Sequence, residues 1–86
     1  MDEGFESIEG EIDLATIEEV TTRVLANPAK TVVLDASQLT FIDSAGLRGL
    51  INAQNTLAEQ GRKLTIANRP QMLVRLLEIT GMTDYF

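Results

Sequence analysis

The apolar phrase Thr31-Val32-Val33-Leu34, closing in Asp35-Ala36, lies between two stretches of helical periodicity. It is short, β-branched and apolar at consecutive positions. That is the pattern of a central strand in a parallel sheet, buried on both faces, rather than of a half-exposed antiparallel strand. On its N-terminal side Ile17, Val20, Val24 and Leu25 recur at helical spacing, and Asn27-Pro28 ends that helix because the residue before a proline avoids the helical region. On its C-terminal side a second helix is expected from near Ser44 to about Gln60, with Leu47, Leu50, Ile51, Leu57 and Ala58 as its buried stripe and Gly61 as its stop.

The alternation continues. Lys63–Ala67 reads as a strand, and Asn68-Arg69-Pro70 opens a third helix that Gly81 ends. Leu73, Leu76 and Leu77 face inward, with Met72 and Thr80 beside them, and Met82–Phe86 reads as a last short strand. Strands alternating with amphipathic helices define an α/β fold: a single small domain with a mainly parallel four-stranded sheet and right-handed crossover helices.

The N-terminal third supplies the remaining strand. Met1–Gly4 reads as a frayed start. From Glu6 to Leu14 the chain alternates, with Ile8, Gly10, Ile12 and Leu14 on one side and Ser7, Glu9, Glu11 and Asp13 on the other, as in a half-buried strand at or near a sheet edge. Thr16-Ile17-Glu18-Glu19 has the form of a capping box. Ser37–Thr40 reads as a connector from which Leu39 and Phe41 plug the core.

With 86 residues the chain makes one domain, residues 1–86. It has no Cys and no His, so there is no disulfide framework, no thiol chemistry and no imidazole for general-base work or metal ligation. We expect no cofactor and no metal. Asp2, Glu3, Glu6, Glu9, Glu11, Asp13, Glu18 and Glu19 all precede the first basic residue, Arg23, and the net charge is -6. Such a chain repels phosphate backbones, which argues against nucleic acid as a partner. No apolar run approaches the roughly 20 residues of a membrane span, so no membrane insertion is expected.

The chemistry concentrates at the joint Thr40-Phe41-Ile42-Asp43-Ser44-Ala45-Gly46-Leu47-Arg48-Gly49-Leu50. A helix start exposes unpaired N–H groups and a partial positive charge, and either Asp43 or Ser44 can cap it. Read alone, the pair is a cap. As a nucleophile Ser44 lacks a base, since Lys30 and Lys63 are remote in sequence. Asp35 and Asp43, both at or after strand ends, are candidate paired carboxylates, against the plainer reading of a strand end and a cap. Gly46-x-x-Gly49 lacks the glycine set and lysine of a phosphate loop. Gly49 costs its helix about 1 kcal/mol relative to Ala, which a close backbone approach, to the sheet or to a partner, would explain.

Ile42-Asp43-Ser44-Ala45-Gly46-Leu47 resembles the signature loop of the STAS family, the anti-sigma factor antagonist domains, through Asp43, Ser44, Gly46 and Leu47. Gly10-Glu11-Ile12-Asp13-Leu14-Ala15-Thr16 resembles the family's opening phrase, and Leu76–Met82 its third helix and glycine stop, so the likeness spans about Ile8–Phe86. The resemblance implies a cytoplasmic protein-binding switch, not an enzyme. The unmodified form binds an anti-sigma factor that is also a serine kinase, phosphorylation at Ser44 ends the interaction, and a phosphatase restores it. Asp43, Ser44, Ala45, Gly46, Arg48 and Gly49 are the partner-binding residues on this reading, with Gly46 giving the partner's backbone room. Arg48, one turn beyond Ser44, is either a phosphate partner or an ordinary exposed arginine. The family's usual first strand and last helix have no counterpart in the pattern, and a second copy can cover the sheet edge so exposed. A structural STAS subunit of a lipid-transport ATPase or an anion transporter is the alternative.

Overall fold

The computed structural model describes residues 2–86. Six elements follow in the order β1 (Glu3–Ile12), α1 (Ile17–Ala26), β2 (Thr31–Ile42), α2 (Ser44–Glu59), β3 (Lys63–Ala67) and α3 (Gln71–Thr80). The sheet has strand order β1-β2-β3, with both pairings parallel. Two right-handed crossovers that move in one direction across a sheet put α1 and α2 on the same face. One hydrophobic cluster joins Val20 and Val24 of α1, Leu50 and Leu57 of α2, and Leu73 and Leu77 of α3 to Ile8, Val32, Leu34, Leu64 and Ile66 of the strands. Those strand residues share one parity. The opposite parity carries Phe5, Val33 and Thr65 in one row across the sheet, and no helix covers it. β2 is therefore layered on one face only. Val33, between Phe5 and Thr65 in that row, is just 9% exposed.

Among the described residues the sheet has three strands, not four. Met82–Phe86 forms turns instead of pairing. The outer edge of β3 is already occupied, because the Leu64 N–H donates to Gln54 Oε1 at 2.7 Å. The tail is held by side chains: Gln54 donates to the Tyr85 carbonyl, and the Arg69 guanidinium donates to the carbonyls of Thr83 and Phe86.

β2 runs through the expected connector to Ile42. It has 12 residues against the 10 of β1, and two register shifts absorb the difference. Leu39 is buried as expected, but Phe41 pairs with Glu11 on the helix-free face and is 48% exposed. β1 begins earlier and ends earlier than its alternation suggests. Glu3 and Gly4, expected to fray, pair with Thr31 and Val32, while Met1 lies outside the described residues. After Ile12, Asp13 turns the chain by accepting the N–H groups of Ala15 and Thr16, so Leu14 leaves the core and is 79% exposed. Thr16 does not form the expected capping box, because its hydroxyl donates to the Glu11 carbonyl at 2.9 Å and accepts the Asp13 N–H at 2.9 Å.

The helices keep their expected faces with small shifts. Leu25 is half-exposed and Ala58 exposed, Ala53 takes a buried place in α2, and Thr80 is exposed in α3. α2 and α3 stop before Gly61 and Gly81 as expected.

Candidate functional site

The joint between β2 and α2 is built from backbone constraints outward. Asp43 is extended at φ -106° and ψ -176°, and its carboxylate accepts the Gly46 N–H at 2.8 Å. This is an N-cap, and it satisfies one of the helix's otherwise unpaired donors. The Asp43 N–H donates to the Ile12 carbonyl at 3.3 Å, which ties the joint to the end of β1. Gly46 then packs against the same carbonyl: a Cβ at that position would stand 2.6 Å from Ile12 O and 2.9 Å from Ile42 Cγ1. Its lack of a side chain serves its own sheet, where the sequence suggested room for a partner. Leu47 is buried beside it.

Because Asp43 does the capping, Ser44 is released from it. Ser44 is exposed, and its hydroxyl engages no hydrogen bond among the described residues. Ala45 and Gly49 are half-buried and Arg48 is exposed. Together with Leu14, Ile17 and Asn52 these residues line a groove at the head of α2. Ile17, Gly49 and Asn52 also line a second groove that continues between α1 and α2 past Thr21 and Leu25. The two form one channel between the helices, with Ser44 at its head. The Gly49 question is answered by α1: a Cβ there would stand 2.2 Å from Ile17 Cγ1, so the close approach is helix to helix.

The structure thus brings Ser44, Ala45, Arg48 and Gly49 to one surface and turns Gly46 inward. Leu14 and Asn52 belong to that surface and were missed in the sequence. Asp13 carried the signal for Leu14, since an Asp that can accept N–H groups two and three residues on ends a strand. Asp35 stays apart from the site. It lies eight positions before Asp43 along β2, about 25 Å in an extended strand, so the two carboxylates do not converge. Asn68, and then the Ser37 N–H, donate to Asp35 at 3.0 and 2.9 Å and hold its carboxyl below the usual carboxylate range.

Among the described residues, a three-stranded parallel sheet, three helices and a capped strand-to-helix loop that leaves a bare serine hydroxyl define a small α/β domain. The family model described as "Mlab, STAS domain" matches residues 7–85, and the chain belongs to the STAS family. An anti-sigma-B factor antagonist of Staphylococcus aureus is 28% identical over 78 residues, covering 87% of this chain and 72% of that protein. Among solved structures, a sulfate transporter family protein from Wolinella succinogenes aligns over 99% of this chain and 71% of its own, with a TM-score of 0.84 and 16% identity. The unphosphorylated anti-sigma factor antagonist SpoIIAA aligns over 91% of this chain and 74% of its own, with a TM-score of 0.72 and 15% identity. The fold also recurs within longer chains, such as Mglu, of which it spans 19%. Among the described residues no helix is long and apolar enough to cross a membrane.

Proposed function

We propose that this chain is an anti-sigma factor antagonist switched by phosphorylation of Ser44. In the unmodified form the channel head binds an anti-sigma factor that is also a serine kinase, in the cytoplasm, and a sigma factor is released. The kinase brings its own nucleotide and metal. It transfers a phosphoryl group to Ser44 Oγ, and a phosphatase later removes it. The observation that carries this reading is the division of labour at the loop: Asp43 holds the helix and Ser44 stands exposed with a free hydroxyl.

Phosphorylation adds about -1.5 to -2 charges and three acceptor oxygens. The helix dipole favours that charge by about 0.3–2 kcal/mol, and the adjacent Asp43 carboxylate opposes it. The fold is therefore insensitive to the modification and the interface is not. Covering an unpaired dianion costs several kcal/mol, and about 5.5 kcal/mol takes a two-state equilibrium from 1:99 to 99:1.

A pull-down with the wild-type domain and Ser44→Asp side by side tests this. A kinase-like partner retained by wild type and lost from the variant is the expected result. The second reading, a structural STAS subunit of a transporter, is supported by the transporter-family fold that aligns over 99% of the chain. It requires equal retention of a transport protein by both forms and no phosphate on Ser44 in cells.

A further inference from the structure

Arg48 is the first charged residue on α2, and no other follows until Glu59 at the far end of the helix. It is exposed, and among the described residues its guanidinium makes no ion pair, since both ion pairs belong to Arg23. Arg62 and Arg69, by contrast, are held by backbone carbonyls. The acids around Arg48 are engaged elsewhere or stand apart from it. The Asp43 carboxylate accepts the Gly46 N–H, and that of Asp13 accepts the N–H groups of Ala15 and Thr16. Glu18 lines the part of the channel beyond Gly49.

Helix geometry aims Arg48 at Ser44. Residues four apart share a face, with Cβ atoms about 5–6 Å from each other. Each Cα–Cβ bond tilts toward the helix N-terminus, so a long side chain lies over the turn before its own. For Arg48 that turn begins at Ser44. Both residues line the groove that Leu14, Ile17 and Asn52 complete. The order matters too, because an anion with a cation four residues after it is the better arrangement on a helix. A neutral hydroxyl gives the guanidinium little to hold. A phosphate on Ser44 Oγ would present three acceptor oxygens, and a guanidinium meets a phosphate with two parallel N–H···O bonds.

We propose that Arg48 is the internal counter-ion of phosphorylated Ser44. In the modified chain its guanidinium folds back one turn and donates to two phosphate oxygens. It compensates one of the nearly two negative charges and leaves the rest facing the groove. Modification therefore changes the surface twice: it adds an anion at Ser44, and it withdraws the free cation that the unmodified form leaves to a partner. The pair takes its importance from the proposed switch, but its formation depends on the helix alone.

The test uses the full chain, made with phosphoserine inserted at position 44 during synthesis, in wild-type, Arg48→Lys and Arg48→Gln backgrounds. Phosphorus-31 NMR follows the second ionisation of the phosphate, and nitrogen-15 NMR follows the Arg48 Nε–H. At low salt the second pKa is expected to be lower in wild type than in Arg48→Gln by about 0.3 units or more, with Arg48→Lys in between because lysine acts as a point charge. The difference is expected to shrink at about 1 M salt. The Arg48 Nε–H is expected to exchange with water at least about threefold more slowly in the phosphorylated chain than in the unmodified one. Equal pKa values in wild type and Arg48→Gln would overturn the proposal, and so would unchanged exchange at Nε–H. Because the phosphoserine is built in, neither result depends on a kinase reaching Ser44 in cells, which only the proposed switch requires.

Discussion

Gly49→Ala separates two opposing effects that the structure sizes. In an open helix interior, replacing Gly by Ala stabilises by about 1 kcal/mol. Here the added Cβ would stand 2.2 Å from Ile17 Cγ1 and 3.1 Å from its Cδ1, and Ile17 is only 8% exposed. Overpacking of this kind costs about 1–3 kcal/mol. The net expectation is a loss of up to about 2 kcal/mol, the difference of those two ranges. In a domain of this size that lowers Tm by as much as roughly 8–16 °C. Ile17→Val removes one methyl group and costs about 0.5–1.5 kcal/mol alone. Combined with Gly49→Ala it should cost less than the sum, because it clears part of the space that the new methyl group needs, and contacting residues couple by about 0.5–3 kcal/mol. Urea unfolding of the four proteins of this cycle, followed by circular dichroism, measures all the terms. If Gly49→Ala alone stabilised the domain by about 1 kcal/mol, the close approach of α1 to α2 would not exist, and neither would the channel as described.

Other expectations follow from single contacts. Asp43→Ala removes the cap on α2 and should cost about 0.5–2 kcal/mol in chemical denaturation, with Asp43→Asn much nearer wild type. Ser44→Asp should change stability by less than about 0.5 kcal/mol, because the Ser44 side chain is exposed and makes no hydrogen bond among the described residues; an unfolded variant would contradict a switch that acts at the interface. Asp35 titrates below its ordinary range because Asn68 and Ser37 favour its charged form. Its contribution to stability is thus present near neutral pH and fades as pH falls through the lowered pKa. Asn68→Ala should move the Asp35 titration upward in carboxyl-detected NMR and shrink that acid-side loss; an unmoved titration would remove Asn68 as its cause.

Much of the fold was legible because two periods carry it. The 3.6-residue stripes placed all three helices, and the apolar run from Thr31 placed the central strand. Ends were harder, because local hydrogen bonds override alternation. Asp13 closes β1 two residues before the pattern breaks, which sends Leu14 from the expected core to the surface. Thr16 uses its hydroxyl on Glu11 and Asp13, so an apparent capping box does other work. The long β2 was hidden because its extra residues sit in register shifts, which leave no signature in a single strand's pattern. At the site, Asp43, Ser44 and Arg48 were readable from the joint's chemistry. The inward role of Gly46 was not, because it depends on a carbonyl 34 positions earlier, at Ile12. Leu14 and Asn52 join the surface only once β1 and α2 are brought together.

Gln54 has a further consequence. Its side chain takes the outward N–H of Leu64, so the β3 edge offers no free ladder at that point. Runaway stacking of sheets needs two sticky ends, one on each molecule's left and one on its right. By filling that point from its own α2, the chain withholds one of those ends: a strand from another molecule would first have to displace the Gln54 amide.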